Sequence, residues 1–238
     1  GLTRHSDKPP AKSKYPDASF PFESESEIDT VGVTPRHVWE GRIGGHRNKL
    51  IVGCDIYWTD QEIKSSTGLF TPVVSPSGRD TIERSTFGLY LTDEFSVTER
   101  FILSIGSRRE KVEDELKKRS LPSGTVDLDE TITERETAFR AGMIYLYDDR
   151  SSIFARYNRS FRFPLTDELI ETNQATFATI VNEDLTSQTG DHFEIGLRHF
   201  FSTNVTASLP FFRVQIDDEI FLCIFDSDER DTVLALKL

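Results

Sequence analysis

Five histidines, two cysteines, a glycine pair and a series of arginines are the residues of this chain that invite a chemical reading. His5, His37, His46, His192 and His199 show neither His-Glu-x-x-His nor another spacing that puts two imidazoles on one metal. Cys54 and Cys223 are far apart and lack ligand spacing, which reads as two free or buried thiols. Gly44-Gly45 is too short for a phosphate-cradling loop and lacks the Lys-Ser/Thr and helix that follow one. No catalytic reading stands, so no catalytic residue, metal site or cofactor is assigned and an enzyme is not expected. Asn158-Arg-Ser and Asn204-Val-Thr match the glycosylation acceptor, but the first falls on a predicted strand, and neither is taken as modified. Arg140, Arg156, Arg162 and Arg198 recur on one face of predicted strands. They either steer an anion along a polar passage or pair with neighbouring Glu and Asp.

The charge balance narrows the partners. Forty acidic residues against 28 basic ones give a net charge of −12, which opposes a nucleic-acid groove, because phosphate binding calls for clustered Lys and Arg. The acid gathers in runs, Glu23, Glu25, Glu27 and Asp29, then Asp226, Asp228, Glu229 and Asp231, and such runs read as solvated surface. With 37% hydrophobic and 29% charged residues, composition alone suggests a water-soluble protein. No stretch approaches the ~20 apolar residues of a spanning helix. Spanning β-strands leave no such run, because they hide apolar residues in a period of two. The chain opens at Gly1 without a basic region and apolar core, so a signal peptide is expected to be removed or outside this sequence.

That period of two runs through four hairpins. Residues 1–29, rich in Pro, Ser, Lys and Glu, read as a tail or loop. His37, Trp39, Gly41 and Ile43 then share one face, and after a turn at Gly44–Asn48 the face continues through Leu50, Val52, Cys54, Ile56 and Trp58. Phe87, Leu89 and Leu91 turn at Ser96–Glu99 into Phe101, Leu103 and Ile105. Phe139, Ala141, Met143, Tyr145 and Tyr147 turn at Asp148–Arg150 into Ile153, Ala155 and Tyr157. Phe193, Ile195, Leu197, His199 and Phe201 turn at Ser202-Thr203 into Val205, Ala207, Leu209 and Phe211. The opposite faces carry Arg, Glu, Asn, Ser and Gly.

Each strand reads as about 10–14 residues long within boundary error, closer to a tilted membrane strand of ~9–11 than to a soluble one of ~5–6. Turns within hairpins are short. Links between them, at 63–81, 114–134 and 164–190, are long. Outer-membrane barrels show this alternation, with short periplasmic turns and long extracellular loops. The expected fold is all-β: an antiparallel transmembrane β-barrel, here about eight strands as four hairpins over residues 30–220, with an irregular segment at 221–238.

Several stretches resemble the barrel of TonB-dependent receptors. Phe87-Gly-Leu-Tyr-Leu-Thr-Asp-Glu-Phe followed by Phe101-Ile-Leu-Ser-Ile-Gly106-Ser-Arg108 is similar to a late hairpin of that family. Ile153-Phe-Ala-Arg-Tyr-Asn-Arg-Ser-Phe-Arg-Phe-Pro164, then Asp167-Glu168-Leu169, resembles its Tyr-x-x-Tyr-x-x-x-Phe-Arg-x-Pro segment. Phe193-Glu-Ile-Gly-Leu-Arg198 is similar to its Tyr-Glu-x-Gly-x-Arg strand, and Asp218-Glu219-Ile220 to the end of the next. Thr34-Pro35-Arg36 and the run from His46 to Asp55 also fit a barrel hairpin.

The resemblance implies a fragment of a barrel of about 22 strands with a plugged lumen. No plug domain, TonB-engaging motif or terminal aromatic strand is visible in the sequence. It further implies a receptor of the bacterial outer membrane that binds and imports a scarce nutrient such as a ferric siderophore or cobalamin. The partners would be outer-membrane lipid, a metal chelate or similar small molecule, and the TonB complex through the plug. The loops at 63–81, 114–134 and 164–190 are the expected ligand contributors, with no residue chosen within them. Two other readings stay open: a stand-alone eight-stranded barrel with a structural or adhesive role, and a soluble β-sandwich that binds carbohydrate or protein.

Overall fold

A computed structural model describes residues 2–7, 13–14, 22–67, 75–121, 123–166, 168–172, 179–182, 185–227 and 230–237. These form β1 (Leu2–Asp7), β2 (Ser13–Lys14), β3 (Phe22–Val33), β4 (Arg36–Ile43), β5 (His46–Thr67), β6 (Ser75–Ser96), β7 (Phe101–Ser120), β8 (Val126–Leu146), β9 (Ser152–Arg162), β10 (Ile170–Thr172), β11 (Thr179–Val181), β12 (Gln188–Ser202), β13 (Val205–Asp217), β14 (Ile220–Ser227) and β15 (Arg230–Lys237). One antiparallel sheet runs β1-β3-β5-β6-β7-β8-β9-β12-β13, with β2 on β3 and β4 on β5. β10 pairs with β11 and β14 with β15, each apart from the main sheet.

The sheet is an open wall. Among the described residues none of β1, β2 and β4 pairs with β13, which disfavours a closed small barrel. Among the described residues no second sheet covers the apolar face, as a sandwich would require. β3 and β4 together behave as one long strand. Val33 faces Ile56 and Arg36 faces Gly53, so the register passes unshifted across Thr34-Pro35. Pro35 has no N–H to give the ladder, yet its carbonyl accepts from the Cys54 amide at 3.1 Å.

Several expectations from sequence need correcting. The segment read as a tail contributes β1, β2 and the start of β3, and the segment 221–238 contains the paired strands β14 and β15. The links at 63–81 and 114–134 are mostly strand: β5 runs to Thr67, β6 starts at Ser75, β7 runs to Ser120 and β8 starts at Val126. Only the link within 164–190 is a long connection, and it contains the small β10–β11 hairpin. The first turn is also tighter than expected. Ile43 pairs directly with His46, leaving Gly44 and Gly45 at φ 59° and 87°, the left-handed pair that a two-residue hairpin turn demands.

Which way the side chains point is fixed by these registers. One row of paired residues runs Phe211, Ile195, Ala155, Met143, Leu103, Phe95 and Asn48 across seven strands. Its face carries the exposed belt of Val52, Trp58, Leu89, Ile105, Phe139, Ile153, Phe193 and Leu197. The belt crosses the sheet obliquely. On β13 its far edge is Phe211, whereas on β5 it is Trp58, ten residues beyond Asn48 in the same row. That is about 34 Å along the strand for about 29 Å across six strand spacings, a slope of roughly 50°, near the ~35–45° tilt of strands in a barrel wall.

The strands outrun the belt. On β7 the last apolar residue of this face is Ile105, yet the strand continues to Ser120, about 50 Å further at the rise of an extended chain. Along that extension the two faces trade character. The belt side becomes Arg109, Lys111, Glu113, Glu115 and Lys117, while the other side buries Val112 and Leu116, at 2% and 0% exposure. This exchange is where lipid gives way to water.

A charge placed inside the belt should therefore cost far more than one placed on the extension. In a bilayer, Leu197→Arg is expected to lose about 2–4 kcal/mol. Thr131→Arg, on the same face beyond the belt, should stay within about 0.5 kcal/mol. Denaturant unfolding from lipid vesicles measures both, and equal losses would contradict the position of the belt.

Candidate functional site

The inner wall, opposite the belt, is built from the alternate residues of the same strands. At belt height it is polar and ionic. Arg108 forms ion pairs with Asp55 and Glu110 and lies 5.9 Å from the centre of the Tyr90 ring. Arg140 donates to Thr92 Oγ1 at 2.8 Å, and Arg156 Nε donates to Glu194 at 2.6 Å. Arg162 pairs with Glu168. Three of the four arginines singled out in the sequence are thus engaged by neighbouring acceptors rather than free, while Arg198 stands exposed near the short turns. β13 departs from this polar character, since its inner side carries Phe212 and Val214, both exposed.

Several large inner side chains lie flat across a neighbouring strand, because a glycine faces them there. A Cβ on Gly53 would fall 2.4 Å from the Tyr90 hydroxyl, one on Gly106 2.7 Å from Arg140 Nε, and one on Gly196 2.3 Å from the Phe154 ring. Each of these glycines is the direct cross-strand partner of the side chain it admits. The Gly-x-Arg and Glu-x-Gly strings in the sequence mark these seats. The arrangement keeps long side chains against the wall instead of across the passage.

Beyond the belt, the connection between β9 and β12 folds back over the inner wall. Leu169 and Leu185 from this connection are buried with Ile82, Leu116 and Ile220, flanked by Ile63, Leu128 and Ile132. Four strands of the extension thus supply inner-face apolar residues to one small core. Polar contacts fix it in place. Arg84 makes a bidentate pair with Asp114, at 2.6 and 2.8 Å, and Arg84 Nη2 also donates to the Pro164 carbonyl at 2.8 Å. Asp114 is 1% exposed, so this pair is shielded from water in a way most surface ion pairs are not. Glu134 accepts from the Ser187 amide at 2.9 Å and from its hydroxyl, and Thr166 donates to Gln61.

Sequence reasoning placed a ligand-contributing loop at 164–190 but gave no sign of this latch, because Arg84, Asp114 and Pro164 are remote in sequence. Among the described residues no group of three or more His, Cys, Asp or Glu could hold a metal ion. His199 bonds the Tyr147 hydroxyl at 2.8 Å and stacks with that ring at the short-turn end, an interfacial position.

A single sheet with an apolar outer belt, an ionic inner wall and strands longer than a bilayer requires is the wall of a membrane-spanning β-barrel. The family model described as TonB dependent receptor-like, beta-barrel matches residues 9–229, and the chain belongs to that family, one of bacterial outer-membrane receptors rather than enzymes. Solved structures carry the same fold. The ferric yersiniabactin uptake receptor FyuA from Yersinia pestis matches with a TM-score of 0.64 at 15% identity, over 88% of this chain and 32% of its own. The copper transporter OprC matches at 0.71 and 14%, over 91% and 34%. The ferric-catecholate import receptor Fiu from E. coli K12 matches at 0.61 and 14%, over 90% and 34%. The chain spans about a third of the length of these proteins. No curated protein matches it.

Removing one member of the latch should release the connection. Arg84→Met leaves the Asp114 carboxylate buried without its partner, a loss of about 3–5 kcal/mol. Amide hydrogen exchange in residues 163–187 is expected to rise at least tenfold while β5–β8 at belt height stay protected. At the glycine seats, Gly196→Val should drive the Phe154 ring off the wall and lower stability by about 1–3 kcal/mol, as overpacking does. Thermal unfolding of the receptor in detergent reads that change.

Proposed function

We propose that residues 22–220 form part of the barrel wall of a TonB-dependent receptor of the bacterial outer membrane, which binds a scarce nutrient and imports it. The observation that carries this reading is the folded-in connection. Its core and its Arg84–Asp114 latch lie on the inner side of strands that project beyond the lipid belt. A wall with an ion-lined interior that is partly roofed at its mouth suits capture of a solute before passage. It has no use in an adhesin, whose contacts face outward.

The cargo follows from the same chemistry. Ferric chelates and cobalamin are bulky and polar, and an inner wall of paired arginines and carboxylates offers both donors and acceptors to such a molecule. The solved relatives named above are described as handling ferric yersiniabactin, ferric catecholate or copper. Metal or metal chelate is therefore the class we assign, and the barrel's plug would convey energy from the TonB complex. The inner residues of the β9–β12 connection and of the strand extensions are the proposed ligand contributors.

Uptake decides the matter. The complete receptor is expressed in a strain lacking its own outer-membrane iron receptors, with and without TonB. It is then offered iron-55 as citrate, catecholate and hydroxamate chelates, and labelled cobalamin. Accumulation of at least one of these that disappears without TonB is the expected result. Slow, TonB-independent entry of all of them would overturn the import assignment.

A further inference from the structure

We infer that the imported chelate is an amphiphile, an anionic metal-binding head joined to an apolar acyl arm, and that the arm lies on the inner face of β13; this rests on the import reading above. β12 turns Glu194, His192 and Gly190 inward, and their cross-strand partners on β13 are Phe212, Val214 and Ile216. These three apolar residues are 70%, 53% and 44% exposed. They occupy successive inward positions and form a strip about 14 Å long.

Neither lipid nor the chain's own core covers that strip. On the outward side of the same stretch, past Phe211 at the belt edge, Arg213 donates to Gln215 and Gln215 to Asp217, each at 3.4 Å. That polar chain puts the strip level with water rather than hydrocarbon. On β6 and β7 the inward apolar residues beyond the belt are buried under the β9–β12 connection, but β13 contributes no residue to that core. Contiguous exposed apolar surface with a polar rim marks a place where something binds.

The rest of the row says what the other end of the ligand must be. Arg140 on β8 faces Asn158 on β9, Asn158 faces His192 on β12, and His192 faces Val214 on β13. Three strand spacings, about 14 Å, thus lead from a cation through an amide and an imidazole to the strip. Arg108, Arg156 and Arg162 are each held by carboxylates. Arg140 has the Thr92 hydroxyl as its partner and makes no ion pair among the described residues. A cavity of about 530 Å³ lies over it, lined by Thr92, Ser104, Asn158 and His192. A guanidinium in that setting suits a carboxylate, and the His192 ring, tilted against Phe212 at 6.3 Å, joins the polar and apolar parts. A wholly polar chelate would leave the strip bare, and a plain hydrocarbon would leave Arg140 unanswered. An amphiphile meets both.

The test measures iron-55 uptake by cells whose sole outer-membrane iron receptor is the complete protein. Three probes are offered: a citrate-type chelate, the same chelate bearing one acyl chain, and a neutral hydroxamate chelate. Two buried methylene groups are worth about tenfold in binding. The acylated chelate should therefore half-saturate uptake at a concentration about tenfold lower than its acyl-free parent. The triple variant Phe212→Ser, Val214→Ser, Ile216→Ser should raise that concentration to the acyl-free value. Val214→Thr, nearly the same shape, should narrow the gap severalfold and serves if the triple variant does not reach the membrane. Arg140→Gln should weaken both citrate-type chelates about tenfold more than the hydroxamate, as loss of a charge-assisted pair predicts. No acyl preference in the parent, or a preference that survives in the strip variants, would overturn the inference. So would an equal loss of all three probes in those variants, which would make the strip a seat for the plug. Entry of every probe without TonB would instead sink the import reading, and this inference with it.

Discussion

Lipid offers no partner to a backbone amide, and that single constraint shapes this chain. Each N–H and C=O within the bilayer has to be met by a neighbouring strand, so the strands pair in long ladders, nineteen pairs between β6 and β7 and nineteen between β7 and β8. Among the described residues the sheet ends at β1 and β4 on one side and at β13 on the other, each with one side unpaired. In the lipid those edges require further strands, which agrees with a wall that covers about a third of its solved relatives. The same constraint explains Pro35, whose missing donor is tolerated on the edge strand and would break the ladder between two central ones.

Once the backbone is satisfied, side-chain polarity is free to follow the medium. At belt height the apolar residues face outward and the ions face in. Further along the same strands the arrangement reverses, with Lys111, Glu113 and Glu115 outward and Val112 and Leu116 inward. The reversal gives the extension an ordinary hydrophobic core of its own, closed by Leu169 and Leu185 from the β9–β12 connection. Two physical regimes share one set of strands, a lipid-solvated wall and a water-solvated mouth, and they meet where the charge row on β7 begins.

This explains what was legible in the sequence. The hairpins were readable because Leu50 to Trp58, Phe87 to Leu91 and Phe193 to Phe201 each keep one apolar phase, and because Gly44-Gly45 and Ser202-Thr203 punctuate them. The extensions were not, since the apolar phase flips there: Val112 and Leu116 continue the alternation on the other face, among charges that look like loop. Strands twice the expected length were therefore taken for long links. The latch was out of reach for a different reason. Arg84 and Asp114 are ordinary charged residues until the β6–β7 register sets them opposite one another, and nothing local to Pro164 announces that its carbonyl completes the pair. Gly106 and Gly196 were visible as motif letters, but their cause, a flat side chain from the next strand, is a property of pairing.

The glycine seats also bear on assembly. The inner wall has little apolar patterning at belt height with which to hold strands in step, and a sheet specified on one face alone can slip. A Tyr90, Arg140 or Phe154 side chain lying in the gap opposite a glycine behaves as a tooth in a notch. Sliding the strand by two residues keeps the faces right but drives the tooth into a position with a side chain of its own, such as Ile51 or Asp55 for Tyr90. Each notch thus reports correct stagger to the neighbouring strand as it docks. Stagger, summed around a closed barrel, sets its diameter, so three absent side chains help to fix how wide the pore of the finished receptor is.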